Sequence, residues 1–542
     1  MTNTDHSRLY PLLVQARTGA PVLAEGLGPA TTQRAASPEA LAPAAAVKRR
    51  GDPGDLRRQR WGIIAPVGDD GDRLLDLVAP LIERRRDQQG AEVRIYRAPS
   101  GLSLAEAARW KKRHYYAAGT LETSVPAYQL ILGDLHQVPL SIQQVQSSEG
   151  MVGRLAFDDD HSYRAYVDKL IRWEQRPAES ERADAVLYTV RDRSPATRQG
   201  FTSLMGPGAA LLGTGQRTGE VRAGEIRRAG SRRPSADEFW RAGQGERPGV
   251  LFSLGHGQGA PGDGWLSVHE QRREQGALSL GRGERIAAED LAERAFLPGG
   301  IWFMLACFGA GTPARSVYQP WLRSLVDADM CGPEALDHIV RSLSLSGAPF
   351  IAALPKAALA NPEGPLAVIG HIDLAWSYGF LDLDDGPRSR PGRFMNVVQR
   401  MLAGARVGFG FQGLYRFLNE VQTELTALYA ERSEGRAADG DARARLARLS
   451  HLWMLRHDLA GYILLGDPAV RLPIRGRTEP AERIPSSVGT AVDEREIAIG
   501  MVLSQRFTPR RVAKEHGMNE DQLLRLVERY RRAGRAAIDQ DE

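Results

Sequence analysis

Between Trp61 and Pro473 short apolar runs recur, most of them followed by a stretch whose apolar residues fall at helical spacing. Trp61-Gly62-Ile63-Ile64-Ala65-Pro66-Val67 stops at a Gly/Asp turn. Leu74, Leu75, Leu77, Val78, Leu81 and Ile82 then share one helical face, and residues 91–96 form a second strand. This is the pattern of a βαβ unit. A helix at about 103–118 leads to a strand over 128–134, and another strand and helix follow at 151–157 and 162–174. Further strands are expected at 185–190, 249–254, 300–306, 348–354 and 366–370, a short helix at 289–296, long helices at about 394–404, 413–433 and 441–459, and a closing strand within 461–473. Strands alternating with helices predict an α/β fold, a three-layer sandwich around a mostly parallel sheet.

At 542 residues the chain exceeds one compact core, so several domains are expected. Residues 1–57 are an Ala-, Pro- and Arg-rich extension in which 9–14 could add a strand or a helical turn to something else. An α/β subdomain is expected at 58–180, a second at 181–473, a Pro/Ser/Gly linker at 474–490 and a small all-α module at 491–542. Residues 215–247, with many arginines and glycines, read as a long loop with a helix near 236–242, solvated or serving in processing or substrate binding. In the last module, helices at 494–505, 511–516 and 520–532 with a turn at Gly517 resemble a helix-turn-helix. Arg525, Arg529, Arg531 and Arg532 would suit DNA phosphates, or simply face solvent in an adaptor.

The excess of Lys+Arg over Asp+Glu is 71 − 66 = 5, so the pI of about 9.2 is no argument for nucleic acid. Two cysteines, Cys307 and Cys331, exclude a disulfide scaffold and fit a reducing compartment. No apolar run approaches the roughly 18 residues that span a bilayer, and the first residues lack a signal-peptide pattern. The expected setting is the cytoplasm. His269, His338 and His371 have no metal-ligand spacing and no Walker-type phosphate loop occurs, so neither metal nor cofactor is expected.

The chemistry gathers in two runs. One is 249–259, where an apolar strand ends in Gly255-His256-Gly257; the other is 300–311, where a strand ends in Ala306-Cys307-Phe308-Gly309-Ala310-Gly311. Side chains just past the carboxyl ends of parallel strands face the crevice where ligands bind. A cysteine attacks as thiolate and needs a nearby base, which His256 could supply to Cys307. The peptide N–H groups of Gly257 and Cys307 are the candidates for an oxyanion hole. Either residue alone is more often an ordinary buried side chain; the pair, with the base about fifty residues before the nucleophile, is far more specific. Cys331 lacks such surroundings and reads as structural.

Gly255-His256-Gly257 with Ala306-Cys307-Phe308-Gly309-Ala310-Gly311 resembles the His-Gly and Ala-Cys motifs of the clan of caspase-like cysteine proteases. The runs 128–134 with Val138-Pro139, 152–155 with Tyr163, Tyr166 and Val167, 366–371 with Trp376-Ser377-Tyr378, and Leu464-Leu465-Gly466-Asp467-Pro468 resemble the gingipain-type members. CHAT-like bacterial proteases belong to the same circle. The resemblance covers roughly 61–473. It implies a caspase-like sandwich of two related subdomains and peptide-bond cleavage through a thioester, with Cys307 as nucleophile and His256 as general base and acid. Gingipain-type enzymes add an acidic partner for the histidine; Asp263 and Asp192 are the candidates. The family expectation is a regulated intracellular endopeptidase acting on protein substrates, in bacteria often in defence or cell death through a pore-forming partner. The alternative is a DNA-binding or scaffolding regulator on an inactive fold of this kind.

Overall fold

The computed structural model describes residues 8–28, 31, 51–116, 124–292, 294–382, 387–433, 442–475, 513, 519–525, 527 and 528. Its strands are, in chain order, β1 (Leu13–Gln15), β2 (Trp61–Pro66), β3 (Arg94–Ala98), β4 (Tyr128–Leu132), β5 (Met151–Leu155), β6 (Ala183–Thr189), β7 (Ala223–Ala229), β8 (Gly249–Leu254), β9 (His256–Gly259), β10 (Leu278–Gly281), β11 (Glu284–Ile286), β12 (Ile301–Leu305), β13 (Gly311–Thr312), β14 (Phe350–Ile351), β15 (Ala367–His371), β16 (Leu381–Asp382), β17 (Arg388–Ser389) and β18 (Tyr462–Leu465).

Ten of them form one sheet in the order β3-β2-β4-β5-β18-β15-β12-β8-β6-β7. Neighbours from β3 to β18 are parallel, as are those from β15 to β7; the two runs meet antiparallel where β18 pairs with β15. The fold is thus α/β with a mostly parallel sheet, built from two parallel halves whose strands point in opposite directions. β18, from the end of the compact unit, completes the half begun by β2 to β5. The central strands β8, β12 and β15 are buried along their whole length, as a sheet covered on both faces requires.

Helices cover the sheet, and local chemistry starts several of them. Asp159 accepts the N–H of Ser162 at the head of the helix Asp160–Gln175, and Ser103 with Glu106 forms a capping box for Leu104–Trp110. The turn that follows β18 is tied down by charge. Asp467 accepts the Trp61 indole at 2.9 Å and two Arg85 nitrogens at 2.8 and 2.6 Å, while Arg85 also holds Glu174 at 2.6 Å. Arg85 and Asp467 are fully buried, so each is needed to neutralise the other.

Two local expectations are corrected. Residues 215–247 are not a loose loop: the helix Gly206–Thr218 runs into β7, the edge strand, and Ala236–Gly243 is the expected helix. Arginines along β7 hid it, because an edge strand leaves part of its side chains in solvent. The strand expected at 348–354 shrinks to β14, and Ala353–Ala360 is helical. Residues 1–476 form one compact unit and 477–542 another. Within the second, the helices expected at 494–505 and 511–516 lie outside the described residues except Ala513; residues 520–525 are helical, with Asn519 Oδ1 accepting the Asp521 N–H. Arg525 is exposed, and Arg529, Arg531 and Arg532 lie outside the described residues.

Candidate active site

Cys307 follows β12 at a sharp turn. The Phe308 backbone has φ of +54°, a left-handed conformation unusual for an aromatic residue, held by its N–H to the Asp373 carbonyl and by the Gly309 N–H to the Ala306 carbonyl. His256 follows β8, whose Leu254 lies in register with Leu305 of β12; the Gly255 N–H then reaches the Leu305 carbonyl at 3.2 Å. The two strand ends approach so closely that a Cβ on Gly257 would stand 1.7 Å from the Cys307 carbonyl oxygen. Glycine is required at 257 for that contact. Both His256 and Cys307 are fully buried.

What buries them is the N-terminal segment. Residues 9–15 cross the carboxyl ends of β8, β12 and β15. Leu13, Val14 and Gln15 of β1 pair parallel with Gly257, Gln258 and Gly259 of β9, and Pro11 bridges Trp376 antiparallel. The Leu12 carbonyl accepts both the Gly257 N–H, at 2.6 Å, and the Cys307 N–H, at 3.1 Å, while the Leu12 N–H donates to the Ala375 carbonyl at 3.1 Å. The two N–H groups proposed from sequence therefore converge on one carbonyl oxygen. On the sulfur, the Ala375 N–H donates to Cys307 Sγ at 3.3 Å. Burial pushes the thiol pKa well up and nearby Asp373 and Asp458 add to it; the N–H groups of Ala375 and Leu12 pull the other way.

His256 is held from one side. Its Nε2 lies 2.7 Å from Ser194 Oγ, Ser194 Oγ is 2.9 Å from Thr197 Oγ1, and Thr197 Oγ1 donates to Asp192 Oδ1 at 2.7 Å. The direction of this chain follows from its end. A carboxylate only accepts, so Thr197 spends its one hydroxyl proton on Asp192. Ser194 must then donate to Thr197, and its oxygen accepts from His256 Nε2–H. That leaves Nδ1 as the bare nitrogen, and it has no hydrogen-bond partner among the described residues. Burial lowers the His256 pKa, partly opposed by the Asp192 carboxylate 3.6 Å from Nε2, so the ring is neutral with its free lone pair on Nδ1.

Of the two acidic candidates, only Asp192 reaches the histidine. Asp263 is exposed and pairs with Arg17 at 3.4 Å. Leu12, Ser194, Thr197 and Ala375 were not singled out from sequence. Ser194-Pro195 carries a readable signal, a serine before proline at a helix start; Ser194 does cap Pro195–Gly200. Nothing in that signal links it to a histidine 62 residues on. Surface clefts lie elsewhere, one at the amino ends of the second half around Asp184 and Pro248, another around Tyr96 and Trp110; at Cys307 the N-terminal segment fills the crevice.

No family model and no curated protein matches the sequence. Among solved structures, the chain is similar in outline to the Arg-specific cysteine proteinase gingipain R (RgpB), at 13% identity and a TM-score of 0.41 over 79% of this chain and 80% of that one. The complex of Porphyromonas gingivalis RgpB pro- and mature domains matches at 14% identity and 0.41, over 77% and 80%. A structure described only as a protease matches at 12% and 0.42, over 76% and 78%. Likeness at this level concerns the path of the chain and says nothing of the site. Among the described residues no helix is long and apolar enough to cross a membrane.

Proposed function

We propose that the chain is a cysteine endopeptidase with Cys307 as nucleophile and His256 as general base and acid. The observation that carries this reading is the pair of N–H groups, Gly257 and Cys307, aimed at a single peptide carbonyl oxygen at 2.6 and 3.1 Å. That is the donor geometry that stabilises the oxyanion of acyl transfer. His256 Nδ1 takes the thiol proton, the thiolate attacks the carbonyl carbon, and the imidazolium returns a proton to the departing amine. Water then hydrolyses the thioester with His256 again as base. Ser194, Thr197 and Asp192 act through the histidine, fixing its tautomer and ring orientation, and are positioning residues. With the thiol buried and raised in pKa, the segment over the site keeps foreign substrates out, so the activity is regulated by its departure.

The test is hydrolysis of a panel of quenched fluorescent peptides by the full chain, alone and with Val14→Asp. Val14 is fully buried in the N-terminal segment, and a charge there disfavours its docking. Cleavage is expected to rise with Val14→Asp and to vanish when Cys307→Ala is added. Activity that survives Cys307→Ala, or no cleavage from either parent, would refute the assignment.

A further inference from the structure

Resting on that reading, we infer that the chain is its own first substrate, cut between Leu12 and Leu13, and that the site selects leucine or a similar apolar residue before the scissile bond. The backbone of residues 9–15 is arranged as an extended substrate on both sides of one peptide bond. On the acyl side, Pro11 bridges Trp376 and the Leu12 N–H donates to the Ala375 carbonyl. At the bond itself, the Leu12 oxygen sits between the Gly257 and Cys307 N–H groups. On the amine side, Leu13–Gln15 continues as a strand along Gly257–Gly259, and the Ala16 N–H reaches the Gly259 carbonyl at 3.2 Å. Extended backbone with main-chain pairing on both flanks is how a peptide is presented by strand addition, with side chains alternating into pockets. Among residues 8–28, only the Leu12 carbonyl is placed between these two donors.

The side chains identify the substrate class. Leu12 is 2% exposed and Leu13 0%, and Leu9 and Val14 are fully buried too. The basic residues of the segment lie outside this span. Arg8 is spent on the Glu25 and Gly26 carbonyls, and Arg17 pairs with Asp263 and Glu270. Asp373 and Asp458, the buried acids that bear on the Cys307 thiol, are engaged by backbone N–H groups: Asp373 by Val317 and Leu374, Asp458 by Trp376 and Gly379. The position before the cut holds an aliphatic side chain, and no basic side chain of the segment occupies it.

The step is balanced by water alone. Cys307 Sγ forms a bond to the Leu12 carbonyl carbon while its proton passes to His256; the Leu12–Leu13 C–N bond breaks and Leu13 nitrogen leaves as an amine carrying that proton. Water then adds to the thioester, giving a Leu12 carboxylate and restoring the thiol. The amine side stays pinned after the cut, because the Val22 N–H binds the Leu13 carbonyl and the Gln15 N–H the Ala20 carbonyl. The larger fragment therefore begins at Leu13 and keeps its fold.

Intact-mass measurement and N-terminal sequencing of the purified full chain test this, with peptides spanning residues 8–16 that carry Leu, Met, Arg or Asp at position 12. The wild-type chain is expected to convert over time to a form beginning at Leu13, Cys307→Ala to stay whole, Leu12→Met to convert, and Leu12→Asp to convert about 100-fold more slowly or not at all. In trans, with Val14→Asp as enzyme, the Leu peptide is expected to exceed the Arg and Asp peptides by about 100-fold in kcat/KM. A wild-type chain that stays whole, a Cys307→Ala chain cut as fast as wild type, or a preference for Arg overturns the inference. If other peptides are still cut in a Cys307-dependent way, only this inference falls. If no peptide is cut by any Cys307-containing chain, the protease reading falls with it.

Discussion

Two histidines stand at the carboxyl ends of the strands that flank β12, one on either side, and both are completely buried. At the end of β15, His371 has each ring nitrogen occupied. Nδ1 lies 2.9 and 3.0 Å from the Asp373 backbone, Nε2 lies 3.0 Å from the Asp458 carbonyl, and the ring packs edge-on against Tyr462. Past β8, His256 has Nε2 engaged by Ser194 and Nδ1 engaged by no described residue. Burial lowers both pKa values, that of His371 to about 4. Burial and a shifted pKa therefore do not separate the structural histidine from the candidate catalytic one. Within this pair the unmatched nitrogen does, since it leaves His256 a lone pair free to take a proton, whereas the lone pair of His371 is spent on the Asp373 N–H. The same contrast holds for carboxylates. Asp467 is saturated by Arg85 and Trp61, and Asp134 by the Leu135 and Ile351 N–H groups and Lys356, whereas Asp192 serves a chain that ends on an imidazole.

The largest break in this comparison should come from exchanging the two rings for glutamine. His256→Gln is expected to lower peptide cleavage about 1,000-fold, the loss typical of a general base, with Tm nearly unchanged. His371→Gln is expected to retain cleavage per folded molecule and to lose about 2 kcal/mol of stability, the cost of unmatched buried groups. Kinetics and thermal unfolding of both variants would check this, and equal behaviour would erase the distinction.

The pH dependence sharpens it. Burial holds the folded pKa of His371 at about 4, below the 6.5 of a free imidazole, so the unfolded chain takes up a proton first as pH falls. Stability from this group is present above 6.5 and is lost between 6.5 and 4, about 3 kcal/mol over the window. Denaturant unfolding at pH 7 and at pH 4.5 should show a loss that is smaller in His371→Gln.

Smallest is the effect of Asp192→Asn. Asparagine can still accept from Thr197, but it can also donate, and then the hydroxyl chain reverses and places the proton on His256 Nδ1. About a tenfold loss of cleavage is expected, the scale of one hydrogen bond. Because Asp192 raises the His256 pKa, the acid limb of the pH–rate profile should move to lower pH in the variant. A limb that stays in place would remove Asp192 from the positioning chain.

Much of this protein was legible in the order of its residues. Buried strands and amphipathic helices repeat with their own periods, so the α/β class followed from periodicity. The two strand ends bearing His256 and Cys307 stood out because a reactive side chain followed by glycine breaks an apolar run. Local signals of this kind need only a few adjacent residues. Tertiary structure decided the rest. β18 crosses back to complete the first half of the sheet, Asp192 rather than Asp263 reaches the histidine, and Ser194 and Thr197 join the site through a hydroxyl chain spanning 62 residues of sequence. Nor could the sequence say that Leu12 lies between the Gly257 and Cys307 amides. A strand's partner is chosen by main-chain hydrogen bonds, which are the same for nearly every residue, so an isolated apolar run shows that it pairs and leaves open with what.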